Sequence, residues 1–214
     1  MCGRYQRRSD KQRIAEMFQV GVGLEELYLE PEEDIAPGSV QPVVLTNGEG
    51  ERQIEMMRWG FKLPDRLFFN ARSEGIDTAK FWSERFKSGR CIVPADTFFE
   101  WVKVRNGPKP KYEFTVPGQQ PFGMAGVWSA WKNPKTEAWE DTFAIITGDA
   151  NSVMRPVHDR QPIILEPREY TEYLAPTERP PIHLLRALPD EELKSLLLSK
   201  ANITEQQVNL FDSH

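Results

Sequence analysis

Apolar and polar positions alternate in short stretches along most of this chain, and helical spacing is confined to a few segments. Residues 9–19, SDKQRIAEMFQ, open on a Ser or Asp cap and set Ile14, Met17 and Phe18 three to four apart, which predicts a short amphipathic helix. Residues 43–46 and 53–59 flank Asn47-Gly48, a dipeptide that favours a tight turn, and so predict a strand pair. After FFNARSEGI a helix is predicted over about 78–87. CIVPADTFFEWVKV then reads as strands interrupted at Pro94, where a missing amide hydrogen would break the ladder. KYEFTVPG, PFGMAGVWSAW and DTFAIITGDA predict three further strands, and ILEPREYTEYLA and PDEELKSLLLSK read as helices. Strands this short, joined by turns rather than by alternating helices, favour an antiparallel-rich α+β domain over a doubly wound parallel sheet.

Composition narrows the class. At 214 residues, 39% hydrophobic and 28% charged, the chain suits one ordinary globular domain, and no repeat or low-complexity linker divides it. Its longest apolar runs, such as 143–146 and 163–165, fall far short of the roughly 20 residues a membrane-spanning helix needs. MCGRYQRRSD has no apolar stretch behind its charges and so does not read as a secretory signal. The expected location is the cytoplasm, at the nucleoid if the source is bacterial. Two cysteines, Cys2 and Cys91, are too few for a disulfide framework and, with three histidines, for an obvious zinc site. No metal or cofactor is expected, and Cys91 reads as a core residue.

The formal charge of −5 argues mildly against nucleic acid as a partner, but its distribution matters more than its sum. Residues 1–13 carry Arg4, Arg7, Arg8, Lys11 and Arg13 against Asp10, whereas 25–34 carry six acids and no base. A locally positive face is compatible with an acidic protein. Taken singly, each cluster is equally compatible with the solvated face of a surface element.

Cys2 raises the first chemical question, because methionine before a small residue is commonly trimmed. Trimming leaves an amine and a thiol on one residue, a 1,2-aminothiol. The α-amine titrates near 7.7–8.0 and a thiol near 8.5, so a useful minority of each is nucleophilic at neutral pH. Such a pair traps aldehydes: the amine forms an imine, and the thiol closes on the imine carbon to give a five-membered thiazolidine. From position alone Cys2 also suits a small buried residue in a tied-down terminus. Asn70, Glu100 and His158 interrupt apolar sequence in LFFNARSE, CIVPADTFFEW and VMRPVHDRQPIIL, and each is a candidate inward-facing polar group. A carboxylate among aromatics is desolvated and suits proton transfer near pH 7. Singly, Glu100 also fits a solvent-facing pleat, Asn70 a turn and His158 a loop.

Together, MCGRY, IAPG, RWGF, FNARSE, RCIVPADTFFEW, FAIITGDAN and VHDRQPIIL resemble, in order and rough spacing over about residues 2–190, the SOS response-associated peptidase (SRAP) family of abasic-site processing proteins. The resemblance implies a single SRAP domain over 1–214 with a mixed-sheet, barrel-like core and short flanking helices, the tail 191–214 being unassigned. It implies covalent crosslinking, through Cys2, to abasic sites in single-stranded DNA. By motif position Cys2 matches the crosslinking residue, Asn70 the residue orienting the cysteine end and opened sugar, Glu100 the acid/base and His158 the proton donor near the sugar hydroxyl. Gly3 matches a position of close approach, and Arg4, Arg72 and Arg160 match positions that hold phosphates. Without the resemblance, each arginine is as readily a surface ion-pair member. The sequence departs from the pattern at Gln161, where methionine is usual, at Thr97 and Phe99, usually Gly and Tyr, and in the KLPDRLFF loop, which lacks paired tryptophans.

The expected partner is thus single-stranded DNA bearing abasic sites, with the replication machinery a candidate protein partner, no membrane, and a monomeric state. Two other classes fit some residues. A cysteine peptidase or amidohydrolase would use Cys2 on an acyl carbon, for instance to remove Met1, but needs an oxyanion hole that the sequence does not reveal. A non-covalent single-strand binder would use Arg4, Arg72 and Arg160 alone.

Overall fold

The computed structural model describes residues 2–105 and 107–199. In chain order the elements are β1 (Tyr5–Arg7), α1 (Lys11–Phe18), β2 (Glu32–Ile35), β3 (Val40–Thr46), β4 (Arg52–Trp59), β5 (Phe61–Lys62), β6 (Leu67–Phe68) and β7 (Asn70–Arg72). There follow α2 (Ser83–Ser88), β8 (Arg90–Ala95), β9 (Thr97–Trp101), β10 (Lys111–Thr115), β11 (Phe122–Lys132), β12 (Trp139–Asp149), β13 (Arg160–Pro162), β14 (Ile164–Leu165), α3 (Tyr170–Leu174) and β15 (Lys194–Ser199). Among the described residues no helix is long and apolar enough to cross a membrane.

The fold is antiparallel-rich α+β, as the turn-joined strands predict. Strands β12, β4, β3, β8 and β11 follow one another round a ring that closes where β11 pairs β12, so the core is a five-stranded mixed barrel. The β12–β4 step is parallel, and β7 also joins β12 in parallel, with Asn70 opposite Ile145. A second, antiparallel sheet runs β15-β10-β9-β1-β2. Alternate residues of the barrel strands enter two cores. Val43, Leu45, Cys91, Val93, Phe143 and Ile145 join Cys2, Tyr5, Phe98 and Phe114, whereas Val44, Ile92, Ala144 and Ile146 meet Ile14 and Phe18 of α1, Phe86 of α2 and Tyr173 of α3. Burial on both faces explains why runs such as 143–146 are continuously apolar.

The segregated charges of the sequence meet across β1 and β2. Arg4 pairs with Asp34 at 3.1 Å and Arg8 with Glu33 at 3.1 Å, Gln6 also donates to Glu33, and Arg7 donates to the Glu30 carbonyl at 3.0 Å. β1 is hydrogen-bonded on both sides, Tyr5 lying opposite Ile35 and Phe98. Beyond it, the carboxylate of buried Asp96 accepts from the Arg8 amide at 2.7 Å, the Ser9 amide at 2.8 Å and the Ser9 hydroxyl at 2.7 Å.

Three sequence expectations need correction. β8 runs unbroken through Pro94, which lies opposite Gly123, and the interruption falls at Asp96, whose amide turns to the Gln6 carbonyl. The helix predicted over 78–87 is shorter, because turns anchored on the Gly75 carbonyl occupy the residues before Ser83. PDEELKSLLLSK is not a helix: a single turn at Asp190–Glu192 leads into β15, which covers the edge of β10 with Tyr112 opposite Leu197. Part of the unassigned tail is thus a sheet strand, and residues 200–214 lie outside the described residues.

Asp96→Ala strands two amides and a hydroxyl at a buried turn. It is expected to cost about 2–3 kcal/mol, read as a lower urea midpoint with an unchanged m-value.

Candidate active site

The site is assembled from the residues before β1, the short strand β7 docked on barrel strand β12, and the sheet hairpin. Cys2 is fully buried just before β1. Its carbonyl accepts a 2.9 Å hydrogen bond from Asn70 Nδ2. Asn70 is held in turn by β7, which docks along β12, and by its neighbour Phe69, whose carbonyl accepts from Trp59 Nε1 at 2.9 Å and whose ring meets Trp59 edge-on. RWGF therefore acts indirectly. Gly60, with φ of +112°, turns the chain out of β4, and its amide donates to the Phe143 carbonyl at 2.7 Å. Asn70 Oδ1 is buried and, among the described residues, has no hydrogen-bond partner.

Glu100 lies in the middle of β9, opposite Tyr112, between Phe99 and Trp101 in sequence, and it is buried. It is an inward residue and not a solvent-facing one. Burial holds its carboxyl above the ordinary carboxylate range. Burial likewise pushes the Cys2 thiol up, and the nearby Glu100 charge pushes it further. The thiol is thus a neutral S–H at physiological pH, with a carboxylate beside it.

His158 stands in the wall of a cleft of about 380 Å³ together with Arg72, Lys103, Asp149, Asp159 and Arg160. Its Nδ1 accepts from the Arg160 amide at 2.9 Å, which leaves Nε2 as the proton-bearing nitrogen of the neutral ring. The Asp159 carboxylate, 2.8 Å from Nδ1, favours the imidazolium, but Asp159 is largely solvated. Burial prevails and holds the ring below its usual pKa, with Lys103 acting in the same direction. Lys103 also bears electrostatically on Glu100 and so links the two acid/base groups. Motif reading missed this lysine, whose one sequence signal is its place two residues after Trp101 in FEWVKV.

The arginines behave differently from one another. Arg72 is exposed at the end of β7. Arg4 is tied to Asp34 and donates to the Gly3 carbonyl at 3.0 Å. Arg160 is nearly buried, and its two terminal nitrogens bind both Glu74 oxygens at 2.6 and 2.8 Å, Asp149 at 3.1 Å and the Thr147 carbonyl. Cys91 is buried in the same core as Cys2. Among the described residues no group of three or more His, Cys, Asp or Glu is placed to hold a metal ion.

A closed five-stranded mixed barrel flanked by an antiparallel sheet, with a buried cysteine just before β1, a strand paired on both edges within that sheet, defines the architectural class. The same architecture occurs in a solved protein of Bacteroides thetaiotaomicron, 21% identical, with a TM-score of 0.80 over 92% of each chain. A phage-related protein of Bordetella bronchiseptica is 27% identical, with a TM-score of 0.75, over 93% of this chain and 95% of its own. Residues 1–202 match the family model described as SOS response associated peptidase (SRAP), and the chain belongs to that family. Relatives include YoqW of Bacillus subtilis, 29% identical over 86% of this chain and 84% of its own, and YobE of the same species, 26% identical over the full length of both. YedK of Escherichia coli is 27% identical over 81% of this chain and 79% of its own. All three bear the name abasic site processing protein.

Two outcomes follow from the buried groups. A carboxyl whose folded pKa exceeds its unfolded one is most favourable at low pH and becomes a cost as pH rises through that window. Glu100→Gln should therefore gain thermal stability relative to the wild type as pH rises above the ordinary carboxylate range, and a difference that stays constant with pH would contradict the assignment. An aromatic disulfide reagent should label neither Cys2 nor Cys91 in the folded protein and both in denaturant.

Proposed function

We propose that this protein processes abasic sites in single-stranded DNA by crosslinking to them through Cys2 after Met1 is removed. The observation that carries the reading is the convergence of Asn70 and Glu100 on Cys2, the carbonyl of residue 2 held at 2.9 Å by an amide from another strand. That contact fixes the backbone bearing the future free amine. The names of the relatives supply the substrate class.

The chemistry then runs as follows. Opening of the abasic deoxyribose to its aldehyde breaks the C1'–O4' bond: the anomeric hydroxyl gives up its proton to water, and the ring oxygen, which accepts a hydrogen bond from His158 Nε2–H, takes one from water. The Cys2 amine adds to the carbonyl carbon, and the carbinolamine loses water to form the imine, Glu100 supplying the proton to the departing hydroxyl. The thiol then adds across the C=N bond: sulfur bonds to carbon, the thiol proton passes to Glu100, and the nitrogen gains a proton. One water leaves overall and a thiazolidine remains. The order suits the buried thiol, which is a poor initiator because it remains protonated, whereas an imine carbon held against it needs only a base to draw off the proton. The orphaned Asn70 Oδ1 is available to accept from the amine or a sugar hydroxyl.

Incubation with a single-stranded oligonucleotide bearing one abasic site is expected to give a denaturant-resistant shifted band with the wild type and none with Cys2→Ala. Asn70→Ala and Glu100→Gln should slow its appearance at least tenfold. Intact-mass measurement of the reacting species should lack Met1; a band from chains that retain it would overturn the mechanism.

A further inference from the structure

The cleft beside His158 contains three cations, and they are not equally able to meet a ligand. Every terminal N–H of Arg160 is already spent on Glu74, Asp149 and the Thr147 carbonyl, and its Nε is buried. A guanidinium so engaged braces β13 against the residues that follow β7, and an incoming anion would have to displace the exposed carboxylates of Glu74 or Asp149 from it. Arg72 and Lys103 remain. Both line the cleft, both are exposed, and among the described residues neither forms an ion pair.

Lys103 is also well placed in the chain. The Val102 amide donates to the Pro110 carbonyl at 3.0 Å and closes the β9–β10 ladder, so Lys103 follows directly on the last pair of the hairpin that carries Glu100.

We propose that Lys103 contacts a DNA backbone phosphate flanking the reacting sugar, beside Arg72, which the family resemblance already places at a phosphate. The proposal rests on the single-strand DNA reading above. It places a mobile, compact cation on the same hairpin as the acid/base carboxyl, so that seating a phosphate brings the sugar to Glu100 on one side and to His158 on the other. The imidazole shares its cleft with Arg72, Asp149, Asp159 and Arg160 as well as Lys103, and its proton affinity reports on the lysine's charge.

The test uses full-length Cys2→Ala protein, which cannot crosslink, and an unmodified single-stranded oligonucleotide, so it is read whether or not a covalent band ever forms. Affinity is measured against salt concentration. Loss of one phosphate contact makes the log–log slope about 0.7 shallower on single strands. Lys103→Gln is expected to show that change, Lys103→Arg to restore the slope, and Lys135→Gln, on the exposed β11–β12 turn, to leave it unchanged. An unaltered slope in Lys103→Gln overturns the proposal. A second reading, by NMR of the imidazoles in a chain with three histidines, is expected to show the His158 midpoint rising in DNA-free Lys103→Gln; no movement places the lysine away from the site and overturns the proposal equally. Failure of the wild type to crosslink, with the salt result as expected, sinks the covalent chemistry and leaves Lys103 in place.

Discussion

The structure turns on a constraint at residue 2. Cys2 leads at once into a strand paired on both edges, and its carbonyl is gripped by Asn70 of β7, which docks on the barrel. Termini tend to be poorly ordered unless tied down. Here the tie comprises two ladders, two ion pairs to the acidic segment and the Asp96 turn. A reactive group at the end of a chain gains precision only if that end is as rigid as the core, and the closed barrel provides a rigid body for it.

Rigidity and desolvation then work together. Enclosing Cys2 and Glu100 holds both in their protonated forms more strongly than water would. This suppresses indiscriminate thiol chemistry while keeping a proton donor and acceptor beside the sulfur. His158 follows the opposite logic, since enclosure keeps a base neutral. One physical effect thus shifts all three groups toward their neutral forms, and the cations of the cleft next to His158 lie outside that interior.

Much of this was legible in local sequence, and the exceptions share a cause. The helix at α1, the hairpin around Asn47 and the strands β10, β11 and β12 are encoded by spacing and turn residues within ten or so positions. Asn70, Glu100 and His158 stood out because each interrupts apolar sequence. What local pattern could not show is pairing at a distance. LKSLLLS is compatible with either helix or strand until the vacant edge of β10, some eighty residues earlier, decides it. Pro94 sits inside a ladder because its partner tolerates the missing donor. The charge blocks at 1–13 and 25–34 looked like two surface features and are halves of one contact. The ion pairs of Arg160 could not be read locally because Glu74 and Asp149 are remote in sequence, and the place of Lys103 in the His158 cleft has no local signature in a charged chain.

The register of the second sheet also orders events in time. Tyr5 pairs with Phe98, so the strand behind Cys2 cannot be enclosed until more than ninety further residues have been made. At ribosomal speeds of about 5–20 residues per second, the nascent end stays uncovered for on the order of 5–20 s. The late arrival of β9 completes the pairing that encloses the strand behind Cys2.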